Sequence, residues 1–204
     1  MAYFADRGAW AVAKRAMREG VRFVDLAFEI AARAVAPLGL FKFSSLHVRR
    51  NELQYHEVKI PAAQIMKNAG KLFTPGEVLY ISTDELRESE FEPFKKTGHK
   101  VILWKDLFTR KGGGGLRGLV IPRKIIGLVE QIICACGRAF VGTDLSTFTA
   151  YIFRLRGYIG APDTHIYHAT KLGQEANAGR PVSIPPERYN WRTFGSDEWP
   201  GVWQ

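Results

Sequence analysis

The sequence predicts an α/β fold, a mainly parallel sheet covered by helices on both faces. Three observations lead there. Short apolar runs alternate with longer segments whose apolar residues recur at three- and four-residue steps. The run Val78-Leu79-Tyr80-Ile81 is apolar at every position, as in a strand buried on both faces. The chain has 204 residues, 46% hydrophobic and 24% charged, which is globular usage and the length of one domain with or without a tail.

The elements follow in order. Residues 7–37 read as helix, with Ala11, Val12, Ala16, Val21, Phe23, Leu26, Ala27, Ile30, Ala31 and Val35 on the repeating face. Gly20 divides this segment and Pro37 ends it. Phe43 to Val48 is the first strand, followed at once by Arg49 and Arg50. Residues 61–70 form a short helix with Pro61 at its start and Gly70 at its end. After the strand at 78–81, Ser82-Thr83-Asp84-Glu85 starts a helix that runs to Lys96, stopped by Gly98. Lys100 to Trp104 is the third strand, and Gly112 to Gly115 a flexible break. Pro122 opens a helix through Cys136, Arg138 to Val141 is the fourth strand, and Ser146 to Arg156 a further helix with Phe148, Tyr151, Ile152 and Leu155 on one face. From Gly157 the pattern dissolves into loops and aromatics, among them Tyr167, Tyr189, Trp191, Trp199 and Trp203. The chain therefore divides into N-terminal helices (1–40), an α/β domain (41–160) and an aromatic-rich extension packing on it (161–204).

Composition narrows the function. The two cysteines, Cys134 and Cys136, are too few for a disulfide scaffold and lack zinc-finger spacing. No stretch of about 18 uncharged apolar residues is present, and residues 1–20 carry charges throughout, so neither a transmembrane span nor a signal peptide is expected in this segment. A net charge of +9 favours anionic partners. The positive residues are dispersed and no nucleic-acid-binding motif occurs, so no nucleic acid is expected.

In parallel sheets ligands bind outside the carboxyl ends of the strands. That rule selects His47 to Asn51, Thr83 to Glu85, Lys105 to Asp106 and Gly142 to Phe148. An arginine after the first strand can hold a diphosphate or be solvated or salt-bridged. Alternation sends His47 and Arg49 to one face and Arg50 to the other. The turn Gly142 to Phe148 leads into a helix whose N-terminus suits a phosphate, while Ser146 also reads as a plain N-cap. Asp84 reads as a helix cap or as an acceptor for a guanine edge or a ribose hydroxyl. The glycine run lacks the Gly-Lys-Ser/Thr of a P-loop, and no Gly-x-Gly-x-x-Gly follows a strand. His165-x-x-His168 lacks further ligands, so no metal is expected; Asp-x-Asp and Gly-x-Ser-x-Gly are absent. Arg154 and Arg156 near the end of the last helix read as complementing its dipole.

Three segments, Leu46 to Tyr55, Leu79 to Glu85 and Val129 to Tyr158, resemble the GDP-fucose protein O-fucosyltransferase family, and its plant and algal members most. The closing Trp199-Pro200-Gly201-Val202-Trp203 resembles their C-terminal ends. The likeness covers residues 20–204 and implies a Rossmann-like three-layer α/β/α domain, the C-terminal half of a two-domain GT-B glycosyltransferase. It implies that His47 and Arg49 contact the diphosphate of GDP-fucose, with Arg49 the catalytic residue, that Asp84 lies in the nucleotide site, and that Ser146, Thr147 and Phe148 hold the phosphates and flank the base. It implies an inverting, metal-independent transfer of fucose to a Ser/Thr hydroxyl of a protein or to a glycan acceptor, with no cofactor, in the Golgi or secretory pathway. The family's N-terminal domain has no counterpart here, so the chain is expected to be a fragment or a reduced member, the alternative being a catalytically inactive GDP-sugar-binding module. Glu52 stands where the family often has Asp, and Asp144-Leu145 where it often has an aromatic.

Overall fold

A computed structural model describes residues 22–51, 56–162 and 164–168, with isolated helical positions between 8 and 20. The elements are α1 (Asp25–Val35), β1 (Ser44–Val48), α2 (Ala62–Ala69), β2 (Val78–Thr83), α3 (Glu92–Lys96), β3 (Lys100–Leu103), α4 (Arg123–Ala135), β4 (Phe140–Gly142), α5 (Thr147–Tyr158) and β5 (His165–Tyr167). The five strands form one sheet in the order β3-β2-β1-β4-β5, and every pairing is parallel. β1 pairs with β2 from Ser44–Leu79 to Val48–Thr83, and with β4 at Ser45–Phe140 and Leu46–Val141. This is the Rossmann-like arrangement the sequence predicts.

Strand alternation builds the three layers. Phe43, Tyr80, Ile102, Phe140 and Tyr167 face one side and pack with Ala27, Ile30 and Ala34 of α1, Val129 and Ile133 of α4, and Ile152 and Phe153 of α5. Leu46, Val48, Leu79, Ile81, Val101, Val141 and Ile166 face the other and pack with Ala62 and Ile65 of α2 and Phe94 of α3. On α1 the buried positions 27, 30, 31, 34 and 35 trace a helical stripe that keeps Ala27, Ile30, Ala31 and Val35 of the expected face and adds Ala34, while Leu26 is exposed.

Several expectations are corrected. Gly20 is itself helical; the break falls at residues 22–24. No helix runs from Ser82 to Lys96. Thr83 ends β2, a 3-10 turn spans Glu88–Phe91, and α3 has only 5 residues. Pro93 lies in the first turn of α3, where its absent N–H is tolerated; a helix begun at Asp84 would put that proline in its interior. The fourth strand starts at Phe140, not Arg138. Arg138 instead reaches past β1 to the segment before β2, its guanidinium donating to Glu77 at 2.8 Å and to the carbonyl of Leu72 at 2.8 Å. The segment after Gly157 contains a fifth strand. His165 to Tyr167 is too short to show a period, and it forms because β4 offers it an edge.

The glycine run is packed rather than flexible. A methyl group on Gly115 would overlap the carbonyl oxygen of Arg33 at the end of α1, so only a glycine lets the two backbones approach. Leu116 beside it is fully buried. Of the extension at 161–204, residues 169–204 with their aromatics lie outside the described residues, as does Glu52. Cys134 and Cys136 are free thiols. Among the described residues, no helix is long and apolar enough to cross a membrane.

Candidate nucleotide site

Strand order places the site. From β1 the chain moves to β2 and β3 on one side, then returns to β4 on the other. The connections leaving β1 and β4 thus diverge, and a crevice opens between their carboxyl ends. Those ends carry His47 to Asn51 and Thr143 to Phe148.

Hydrogen bonds join them. The Arg49 N–H donates to the Thr143 hydroxyl at 3.0 Å, and that hydroxyl donates to the carbonyl of His47 at 2.9 Å. His47 Nδ1 lies 2.7 Å from Thr149 Oγ1 on α5, and its ring stacks on Phe148 with centroids 4.5 Å apart. Gly142 makes this approach possible, because a side chain there would collide with Thr149. Burial, and then the charge of Arg49, push the His47 imidazole down to about 3. It is neutral near pH 7, with one donor and one acceptor nitrogen.

Asp84 anchors the turn after β1. Its carboxylate accepts from the N–H of Arg50 at 2.7 Å and of Asn51 at 3.0 Å, and pairs with Arg49 Nη1 at 3.1 Å. The pair is solvent-accessible, with Arg49 36% and Asp84 23% exposed, so Arg49 can exchange a carboxylate for a phosphate at small cost. Arg50 points away, as alternation requires, and donates from Nη2 to the carbonyl of Ile60 at 2.7 Å.

Ser146 is the N-cap of α5, its hydroxyl accepting from the Thr149 N–H at 3.5 Å. Thr147 opens the helix and is exposed. The N–H groups of Thr147 and Phe148 occupy its first two positions and have no partner within it. Leu145, just before the cap, adopts φ +56°, a left-handed conformation unusual for a branched apolar residue. Asp144 is fully buried.

All six residues singled out from the sequence (His47, Arg49, Asp84, Ser146, Thr147 and Phe148) thus stand on the adjoining strand ends. Lys105 and Asp106 do not join them. Asp106 is buried and accepts from the N–H of Leu103 at 2.9 Å and from Lys111 at 2.8 Å, while Lys105 pairs with Glu88. His165 and His168 are three apart on extended chain and face opposite sides of the sheet, one on Phe153 and the other on Thr143. Among the described residues, no group of three or more His, Cys, Asp or Glu is placed to hold a metal ion. Sequence reasoning passed over Thr149; its position three residues after the capping serine was the available signal.

Beside the site, Glu130 of α4 accepts a hydrogen bond from the Tyr80 hydroxyl at 3.0 Å. Burial pushes its carboxyl up to about 7, outweighing the hydrogen bonds from Tyr80 and Ser82. An unfolded glutamate titrates near ~4.3. The folded state therefore disfavours the carboxylate, and this group's contribution to stability falls as pH rises from about 4 to about 7. Glu130→Gln is expected to match the wild type in acid and to become more stable by on the order of 2 kcal/mol above neutrality. Urea unfolding of both proteins from pH 4 to 8 measures this; a pH-independent difference would contradict it.

Comparison with known proteins gives a distant likeness. No protein-family model matches the chain. It is 25% identical over 148 residues to GDP-fucose protein O-fucosyltransferase 2 of Homo sapiens and, equally, to that of Pan troglodytes. The match covers 69% of this chain and 32% of each relative, so the chain spans about a third of the length of the curated relatives it matches. The fold and this likeness together describe a Rossmann-like domain distantly similar to part of a protein O-fucosyltransferase.

Proposed function

We propose that this chain is the donor-binding domain of a glycosyltransferase that moves fucose from GDP-fucose to a Ser/Thr hydroxyl of a protein, with inversion and without a metal. One observation carries the reading: Arg49 and the N-terminus of α5 adjoin at the sheet's crevice, tied together through Thr143 and His47. The likeness to the O-fucosyltransferases supplies the sugar and the base. In the transfer, the acceptor oxygen bonds to the anomeric carbon from the opposite face and loses its proton to solvent, while the bond from the anomeric carbon to the phosphate oxygen breaks and GDP leaves with the electron pair. The sugar becomes oxocarbenium-like, as in glycoside hydrolysis. Negative charge grows on the departing phosphate. Arg49 and the N–H groups of Thr147 and Phe148 stabilise it, the arginine by charge and the helix by its dipole. Neutral His47 offers one further hydrogen bond, and Phe148 an aromatic face for the base.

Calorimetric titration of GDP into the 204-residue chain in EDTA, with ADP and UDP as controls, tests the donor site. Selective binding of GDP is expected. Equal binding of all three would remove guanine recognition, and none in a folded sample would remove the site. Transfer from GDP-fucose to Ser/Thr peptides then separates an active enzyme from a domain that only binds the sugar nucleotide.

A further inference from the structure

We infer that His168 is a positioning residue that, through the Thr143 hydroxyl, holds the backbone of Arg49 in place at the end of β1. The functional weight of this inference rests on the reading that Arg49 meets the donor's phosphates; its geometry does not.

Thr143 Oγ1 has three partners: the N–H of Arg49 at 3.0 Å, the carbonyl of His47 at 2.9 Å and Nε2 of His168 at 3.0 Å. A hydroxyl has one hydrogen and two lone pairs. The amide of Arg49 can only donate, and the carbonyl of His47 can only accept. The hydroxyl's hydrogen therefore goes to His47, and the second lone pair receives a hydrogen from His168. Nε2 must carry the proton. Burial, and then the charge of Arg50, push the imidazole down to about 3, so the ring is neutral and Nδ1 is bare. That nitrogen is buried and has no hydrogen-bond partner. The protein leaves one end of this ring unsatisfied and keeps the other on Thr143.

His168 is itself braced. Its N–H donates to the carbonyl of Gly142 at 3.0 Å, and its carbonyl accepts from Asn68 Nδ2 at 2.7 Å. Asn68 Oδ1 in turn accepts from Gln64 at 2.7 Å. A buried polar chain therefore runs from α2 through the residue after β5 to the residue after β4, and ends on the backbone of Arg49. The His-x-x-His spacing that could read as a metal pair serves the strand ends instead.

Nuclear magnetic resonance of the whole chain tests this. Long-range proton–nitrogen correlation of the imidazole is expected to show the Nε2–H tautomer, and amide exchange to show Arg49 protected. In His168→Leu the Arg49 amide is expected to exchange roughly fivefold faster or more, the loss of one neutral hydrogen bond. In His168→Gln, whose carboxamide N–H reaches a similar point, protection is expected to return. GDP affinity should follow the same order. An Nδ1–H tautomer in the wild type overturns the inference even where His168→Leu fails to fold, and so does unchanged exchange at Arg49 in a folded His168→Leu. A wild type that binds no GDP defeats the donor-site reading alone, because tautomer and exchange are read without the nucleotide.

Discussion

Arg49→Ala is expected to weaken GDP binding by on the order of a hundredfold and to leave the fold standing. The size follows from the bond type. A charge-assisted hydrogen bond from a guanidinium to a diphosphate is worth about 1.5–3 kcal/mol, and no neighbour can replace it. Arg50 is turned to the far side and already bonded to Ile60. His47 is held neutral by burial and brings no charge. The structural cost is small, because what Arg49→Ala removes within the protein is an accessible ion pair worth about 0–1 kcal/mol, while Asp84 keeps the N–H groups of Arg50 and Asn51. Titration in EDTA, beside a urea unfolding curve, separates the two quantities. Unchanged affinity for GDP would remove Arg49 from the donor site.

Arg156→Met is expected to have the opposite profile, a loss of about 3–5 kcal/mol of stability. The Arg156 side chain is fully buried at the end of α5. Its guanidinium donates to the carbonyls of Ala135, Gly137, Arg138 and Pro162, at 3.1 Å for Ala135 and 2.6 Å for Pro162. These carbonyls belong to the end of α4, the turn into β4 and the turn into β5. Methionine fills much of the volume but offers no donor, and buried carbonyls without partners are costly. The comparison is made by urea unfolding at neutral pH. A cost below about 1 kcal/mol would mean that water enters to replace the guanidinium. The sequence reading of this residue, a cation complementing a helix dipole, misses its role because nothing local shows that three turns converge on it.

Much of the site was legible before the fold. The rule that ligands sit at strand ends needs only the strands; β2 and β4 are marked by apolar runs ending in polar residues, and β1 by the arginines that follow it at once. His47, Arg49, Asp84 and the Ser146-Thr147-Phe148 turn all fall there. Lys105 and Asp106 satisfied the same rule and failed, because β3 is an edge strand and its carboxyl end lies away from the crevice. Strand order is a tertiary property, set by which edges pair.

Helix and strand identity came from periodicity, since burying one face of a helix or both faces of a strand imposes a pattern on the residues themselves. The helix wrongly read at Asp84 shows where that logic stops. A carboxylate there is a good helix cap, yet its oxygens are taken by the amides of Arg50 and Asn51, some 34 residues away in sequence. The glycine run read as flexible became a tight contact because the end of α1 lies against it. β5, three residues long, exists by virtue of the edge it meets.

The alternating pattern of apolar runs and amphipathic segments therefore determined, by itself, that this chain forms a parallel sheet between helices, with its polar strand ends as the candidate site. Tertiary structure alone decided which strand ends share a crevice, which arginine is available to an anion and which is spent on carbonyls, and that Thr143 and His168 brace Arg49. Those outcomes depend on partners brought together from 6 to 102 residues away, and hydrogen bonds between such residues leave no periodic trace in the chain.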